Sequence, residues 1–143
     1  MNNGRMNSGE IKAGLAQTAN YQYAQRVGSQ LFVAGQVPHD AEAHIVGIEK
    51  PYVQAAQCLT NLRSVITHHG FNEQDIQQLT IYVVGARQNL TDAWKAVKEW
   101  FDNDVPPATL LGVACLGYEQ QLVEIDAKVV RAAVSTPSPG EDL

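Results

Sequence analysis

"QLVEIDAKVV", Gln121–Val130, splits in two when every second residue is read. Val123, Ile125, Ala127 and Val129 fall on one side, and Leu122, Glu124, Asp126, Lys128 and Val130 on the other. Successive side chains of a strand point to opposite faces. One face of this segment is therefore almost wholly apolar and belongs over a core. The other carries three adjacent charges between two aliphatic residues. That row is too charged for a closed core and too apolar at its ends for bulk water alone.

Working upstream, "TLLGVAC" at 109–115 reads as a strand joined to this one by a short "LGYEQ" turn. Before it, "NLTDAWKAVKEWF" reads as a helix. Asn89 is placed to cap it, Asp92 sits in its first turn, and Leu90, Trp94, Val97 and Phe101 form its apolar stripe. Pro106 and Pro107 bar further helix. "QQLTIYVV" at 77–84 is β-branched and apolar on both faces, the pattern of a central strand. Tyr52, Ala55, Leu59, Leu62 and Ile66 recur at spacings of 3 and 4, which predicts a helix over 51–69. Pro51 suits its first turn and Gly70 its C-terminal stop. "YAQRV" and "LFVAGQV", separated by "GSQ", read as a hairpin, and His44–Val46 as a third short strand.

The order β-β-(β)-α-β-α-β-β predicts one mixed sheet with a hairpin at each end and parallel neighbours joined across the helices. Two helices cover one face of such a sheet. The other face carries Glu124, Asp126 and Lys128, with either Leu111, Val113 and Cys115 or Leu110, Gly112 and Ala114 beside them. A subunit interface or a ligand cleft resolves a face of this mixed character.

The 143 residues fit one domain, read as residues 19–134, with a loosely held N-terminal segment, 1–18, and a Pro/Ser-rich acidic tail, 135–143. Hydrophobic residues make up 45%, enough for a core; the charged fraction, 17%, is below the usual share and fits a surface partly covered by another subunit. The net charge of −5, with ten scattered Lys and Arg, argues against a nucleic-acid partner. Cys58 and Cys115 form no CxxC pair and read as two buried reduced thiols. No apolar stretch is long enough to span a membrane, and the N-terminus lacks the core of a secretory signal, so the cytoplasm is the expected compartment.

The stretches "YAQRVGSQLFVAGQVP", "LTIYVV", "PPATLLGVACL" and "VEIDAKVV", in this order around two helices, resemble the YjgF/RidA family, also known by the older label endoribonuclease L-PSP. The likeness runs from about Asn20 to Arg131. It implies an α+β, chorismate mutase-like fold, with a mixed sheet and two helices on one face. It further implies a homotrimer whose open sheet faces surround a threefold axis, with three clefts between neighbouring subunits. The namesake branch hydrolyses 2-imino acids and their enamine tautomers without metal or organic cofactor.

Carried over residue by residue, the family's cleft carboxylate falls on Glu124, its backbone-contributing glycine on Gly35 and its cleft tyrosine on Tyr21. Three positions depart from the deaminating branch. The arginine that grips the substrate carboxylate reads Ala108, the nearby cysteine reads Leu110, and an asparagine on the second helix reads Trp94. Thr109, between the first two, and Tyr118, in the turn before Glu124, complete the candidate substrate-binding set. Losing one partner of a charge-assisted pair costs about 2–5 kcal/mol. The sequence therefore argues against efficient hydrolysis of 2-imino acids and for a larger, less anionic ligand.

Each candidate has a plainer reading beside it. Glu124 either activates a water or is a structural carboxylate at the trimer axis. Gly35 serves strand-end geometry or turns its amide to a ligand. Trp94 is a core residue by periodicity and reaches the cleft only by the alignment. Asp126 is expected to pair with Lys128 or with a neighbouring subunit. Arg87 reads as a solvated loop residue, with a substitute anion anchor as the alternative. Adjacent helical residues point about 100° apart, so His68 and His69 read as a poor metal pair, and His39 and His44 match no metal spacing. Three functions follow: a trimer that hydrolyses a C=N or enamine bond with Glu124 positioning water, a non-catalytic ligand-binding or regulatory trimer, and, on the family label alone, a ribonuclease.

Overall fold

The strand that carries Glu124 lies at the centre of the sheet. A computed structural model describes residues 6–132, and the expected tail 135–143 lies outside the described residues. The elements are α1 (Ser8–Lys12), β1 (Ala24–Val27), β2 (Gln30–Gln36), α2 (Pro51–His68), β3 (Ile76–Val84), α3 (Arg87–Trp100), β4 (Ala108–Val113) and β5 (Val123–Val130). They build a five-stranded sheet of order β1-β2-β5-β3-β4. Only β3 and β4 run parallel; the other neighbours are antiparallel.

This order corrects the expected C-terminal hairpin. β4 pairs with β3 through the α3 crossover, and β5 inserts between β2 and β3. The chain from β4 to β5 therefore passes the end of β3, where the Val84 amide donates to the Leu122 carbonyl at 2.8 Å. The N-terminal hairpin is present, with Ala24 opposite Val33. The third strand expected at His44–Val46 is only an isolated bridge between His39 and Ile45.

The alternation read from β5 is the one observed. Val123, Ile125, Ala127 and Val129 are buried beneath the helices. Leu31 and Val33 of β2 and Leu79, Ile81 and Val83 of β3 join them. From above, α2 contributes Ala55, Cys58, Leu59, Leu62, Val65 and Ile66, and α3 contributes Ala93, Ala96 and Val97. Tyr52 leaves the predicted stripe: it is exposed, and its hydroxyl donates to Glu99 on α3 at 2.5 Å. Asn89 does not cap α3, because the helix begins earlier, at Arg87; the Asn89 side chain donates back to the Val84 carbonyl at 2.9 Å.

The cysteines also divide. Cys58 is fully buried, and burial holds its thiol well above the ordinary range. Cys115 lies past the end of β4 and is exposed, contrary to expectation. Part of the segment read as loose is packed. Leu15 and Ala16 are buried, and the Asn7 side chain bonds the Tyr23 amide and the Tyr21 carbonyl, each at 2.9 Å.

The open face resolves the register left undecided in the sequence. Tyr82 stands opposite both Glu124 and Leu111, so Leu111, not Leu110, shares the face of Glu124. Phe32 and Leu111 on this face are 42% and 40% exposed, more than isolated core-type residues would be over a closed face. Among the described residues Asp126 makes no ion pair with Lys128; it accepts from the Tyr82 hydroxyl at 2.7 Å.

Candidate functional site

Glu124 is placed by its neighbours in β2. The β2–β5 register shifts between Val33 and Gln36, a bulge that brings Gly35 against Glu124. A Cβ at Gly35 would lie 2.7 Å from the Glu124 carboxyl carbon and closer still to Oε2. Gly35 thus has no forbidden backbone angle to satisfy. Its missing side chain is the space the carboxylate occupies.

The other carboxylate oxygen, Oε1, accepts from Gln121 Nε2 at 3.1 Å. Gln121 is 3% exposed, and its own carbonyl oxygen accepts from the Tyr118 amide at 3.2 Å. One buried amide therefore fixes both the acid and the backbone of the tyrosine beside it. Burial, opposed by the Gln121 bond and aided by the Asp126 charge, raises the Glu124 pKa above the ordinary carboxylate value. A carboxyl group with a raised pKa accepts a proton more readily than an ordinary carboxylate and so makes a stronger general base.

Ala19, Tyr21, Gly35, Val37, Gly117, Tyr118 and Glu124 line an open cleft of about 410 Å³. A narrow recess behind it adds Gln36 and His39. The His39 ring meets the Tyr118 ring edge-on at 4.7 Å. Burial lowers its pKa, outweighing the pull of Asp40, so the imidazole is neutral at pH 7. Asn61 on α2 anchors this wall, donating to the Val37 and His39 carbonyls at 3.0 Å each. Tyr21 has its pKa raised by burial first, then by Tyr118 and Glu124. Among the described residues lining the cleft there is no cation.

Of the residues singled out in the sequence, Glu124, Gly35, Tyr21 and Tyr118 come together here. Five do not, within one chain. Trp94 and Leu110 pack against the core on the helix side of the sheet. Ala108 and Thr109 begin the edge strand β4 and are exposed. Arg87 starts α3, exposed, and does not line the cleft. Gln121, Gln36, Val37 and His39 were not anticipated. The only signal for Gln121 was its place three residues before the acid, on the approach to the strand.

The Endoribonuclease L-PSP family profile matches residues 11–131. A RutC family protein of Sulfurisphaera tokodaii is 27% identical over 88 residues, 62% of this chain and 69% of that one. Among solved structures, TdcF of E. coli with bound serine superposes with a TM-score of 0.75 at 22% identity, covering 85% of this chain and 95% of that chain. The YjgF gene product of E. coli gives 0.73 at 21% identity, with the same coverage. At such identities the structural likeness speaks for the fold, and the sequence profile, spanning most of the chain, for the family. The chain belongs to the Endoribonuclease L-PSP family, the YjgF/RidA group, and carries its α+β fold.

Proposed function

We propose that this protein is a cytoplasmic homotrimer whose inter-subunit clefts bind a small imine or enamine and hydrolyse its C=N or enamine bond to release ammonia, with Glu124 positioning and deprotonating the attacking water. The observation that carries this reading is the half-buried carboxylate of Glu124, its pKa raised by burial, in a cleft of small-molecule size. Tyr21 and Tyr118 flank the ligand, and Gly35 leaves the room in which the Glu124 carboxylate sits beside it. The trimer is favoured by the exposed aliphatic and aromatic side chains of the open face and by the family's habit of assembly. It also offers β4 a role, since the exposed Ala108 and Thr109 of a neighbour would close the cleft from outside. No helix of the described residues is long and apolar enough to cross a membrane.

The chemistry of the lining narrows the substrate. Among the described residues of one chain that line the cleft, Glu124 is the one carboxylate; His39, in the recess behind, is neutral, and by the family likeness Ala108 falls where the deaminating branch has its arginine. A substrate carboxylate would meet an acid and no counter-charge. Neutral or cationic imines therefore fit better than 2-imino acids, and the cleft volume leaves room for a ligand larger than an amino acid.

The test is ammonia release from a panel of imines and enamines generated in solution, with and without a carboxylate. Uncharged substrates are expected to turn over faster, and Glu124→Ala to lose roughly 10²–10⁴-fold, the usual worth of a general base. Equal rates for wild type and Glu124→Ala on every substrate turned over would remove Glu124 from catalysis. The replacement at Ala108 favours a second reading, a ligand-binding or regulatory trimer without turnover. There, ligand raises Tm and is recovered unchanged. A ribonuclease is supported by the family label alone and opposed by the net charge of −5.

A further inference from the structure

We propose that Glu10, His68 and His69 form a binding site for a divalent transition-metal ion of zinc's class, clasping α1 to the end of α2. The two histidines are adjacent in sequence, and on a continuing helix they would diverge. Here the helix stops between them. The Phe71 amide bonds the Ile66 carbonyl and the Gly70 amide the Thr67 carbonyl, each at 3.0 Å, with Gly70 at φ +81°. This is the closing turn of a helix on a left-handed glycine. It makes His69 the C-terminal cap and His68 the last helical residue. Their rings meet edge-on with centroids 4.9 Å apart, and both face the same carboxylate.

That carboxylate, Glu10, is 6% exposed. A buried acid needs its charge answered, and the described residues offer it only these two imidazoles. His69 Nε2 lies 2.7 Å from Glu10 Oε2, and His68 Nε2 lies 4.0 Å from Oε1. One donor atom from each residue lies within 4.8 Å of the others. Zinc holds nitrogen and oxygen ligands at about 2.0–2.2 Å in a tetrahedron, which spaces the ligand atoms about 3.3–3.6 Å apart. The two observed contacts straddle that spacing, so small side-chain rotations complete a two-histidine, one-carboxylate set with a position left for water. Gly9 gives the third wall: a Cβ there would overlap the His68 ring. The other acid–histidine group, Asp40, Glu42 and His44, is largely exposed, and Asp40 Oδ1 is already taken by the Glu42 and His44 amides at 3.0 and 2.9 Å. The metal would also tether the segment in which Asn7 holds Tyr21 and Tyr23, one wall of the cleft.

The experiment is calorimetric titration of the full chain with zinc chloride alone, with parallel melting curves. One saturable zinc per chain and a raised Tm are expected. Affinity should fall at least tenfold in His68→Asn, which leaves the Glu10–His69 contact and the fold in place, and also in Glu10→Gln. His44→Asn serves as the control and should bind as wild type does. The absence of saturable binding, wild-type affinity in both His68→Asn and Glu10→Gln, or loss of binding in His44→Asn would each overturn the assignment.

Discussion

Gln54→Leu should lower stability by about 3–5 kcal/mol and Tm by roughly 10 °C, the largest loss expected from any single polar replacement in this fold. Gln54 lies in α2 and is fully buried. Its carbonyl oxygen accepts from the Leu122 amide at 2.7 Å and the Val123 amide at 3.2 Å. Its amide nitrogen donates to the Gln120 carbonyl at 2.9 Å and the Gly47 carbonyl at 3.2 Å. One side chain thus completes the backbone of the crossing from β4 to β5, where Gln120 adopts a left-handed φ of +67°. Leucine fills the volume but strands the Leu122 and Val123 amides; the Gly47 carbonyl keeps its bond from the Lys50 amide, and exposed Gln120 turns to water. Each buried group left without a partner costs about 1–3 kcal/mol. Because this crossing delivers Gln121 and Glu124, turnover should fall along with stability. Chemical denaturation checks the first effect, and a loss below about 1 kcal/mol would show that the crossing holds without its clamp.

Glu124→Gln should act in opposite directions on activity and stability. Turnover should fall roughly 10²–10⁴-fold, because an amide cannot take a proton from water. Stability at pH 7 should rise. In the folded chain the carboxyl pKa is raised above 4.5, chiefly by burial. The folded state therefore binds this proton more tightly than the unfolded state does. Wild-type stability falls as pH rises from the unfolded pKa through the folded one, and above both the full penalty of the ionised group remains. Glutamine is isosteric, retains the bond from Gln121 and removes the charge. The Tm advantage of the variant should be present at neutral pH, shrink as pH falls through the raised folded pKa, and be gone below the ordinary carboxylate range. A variant less stable than wild type at pH 7 would mark Glu124 as a structural carboxylate. Groups kept for reactivity at a cost in stability are the usual signature of a working site.

The sequence disclosed the parts of this molecule governed by local period. The alternation along β5 and the stripe of Ala55, Leu59, Leu62 and Ile66 survive intact because each side chain's direction follows from its own position along strand or helix. Strand order is different. Nothing in "LGYEQ" distinguishes a hairpin from a passage over the end of β3, and the pairing of β4 with β3 follows from packing of the α3 crossover. The site was half legible. Glu124 and Tyr21 stood out through the family likeness, and Gly35 with them, though for a different reason, the room its missing Cβ leaves for a carboxylate. Gln121, Gln54 and Gln36 did not stand out. Uncharged amides carry no periodic signature, and their roles depend on which backbone groups happen to lie in reach. The Glu10–His68–His69 group was hidden for the same reason, since Glu10 lies 58 and 59 residues before the two histidines and meets them only when α1 folds onto α2.

The claim on which the proposed function depends is that the cleft beside Glu124 is completed by a second copy of the chain, and sedimentation equilibrium tests it most directly. The wild-type chain should sediment with the mass of three chains. Leu111→Glu, which puts a charge on the open face without touching the helix-side core, should sediment as one chain and lose ammonia release with it. A wild-type protein that sediments as a single chain while retaining full turnover would contradict the account.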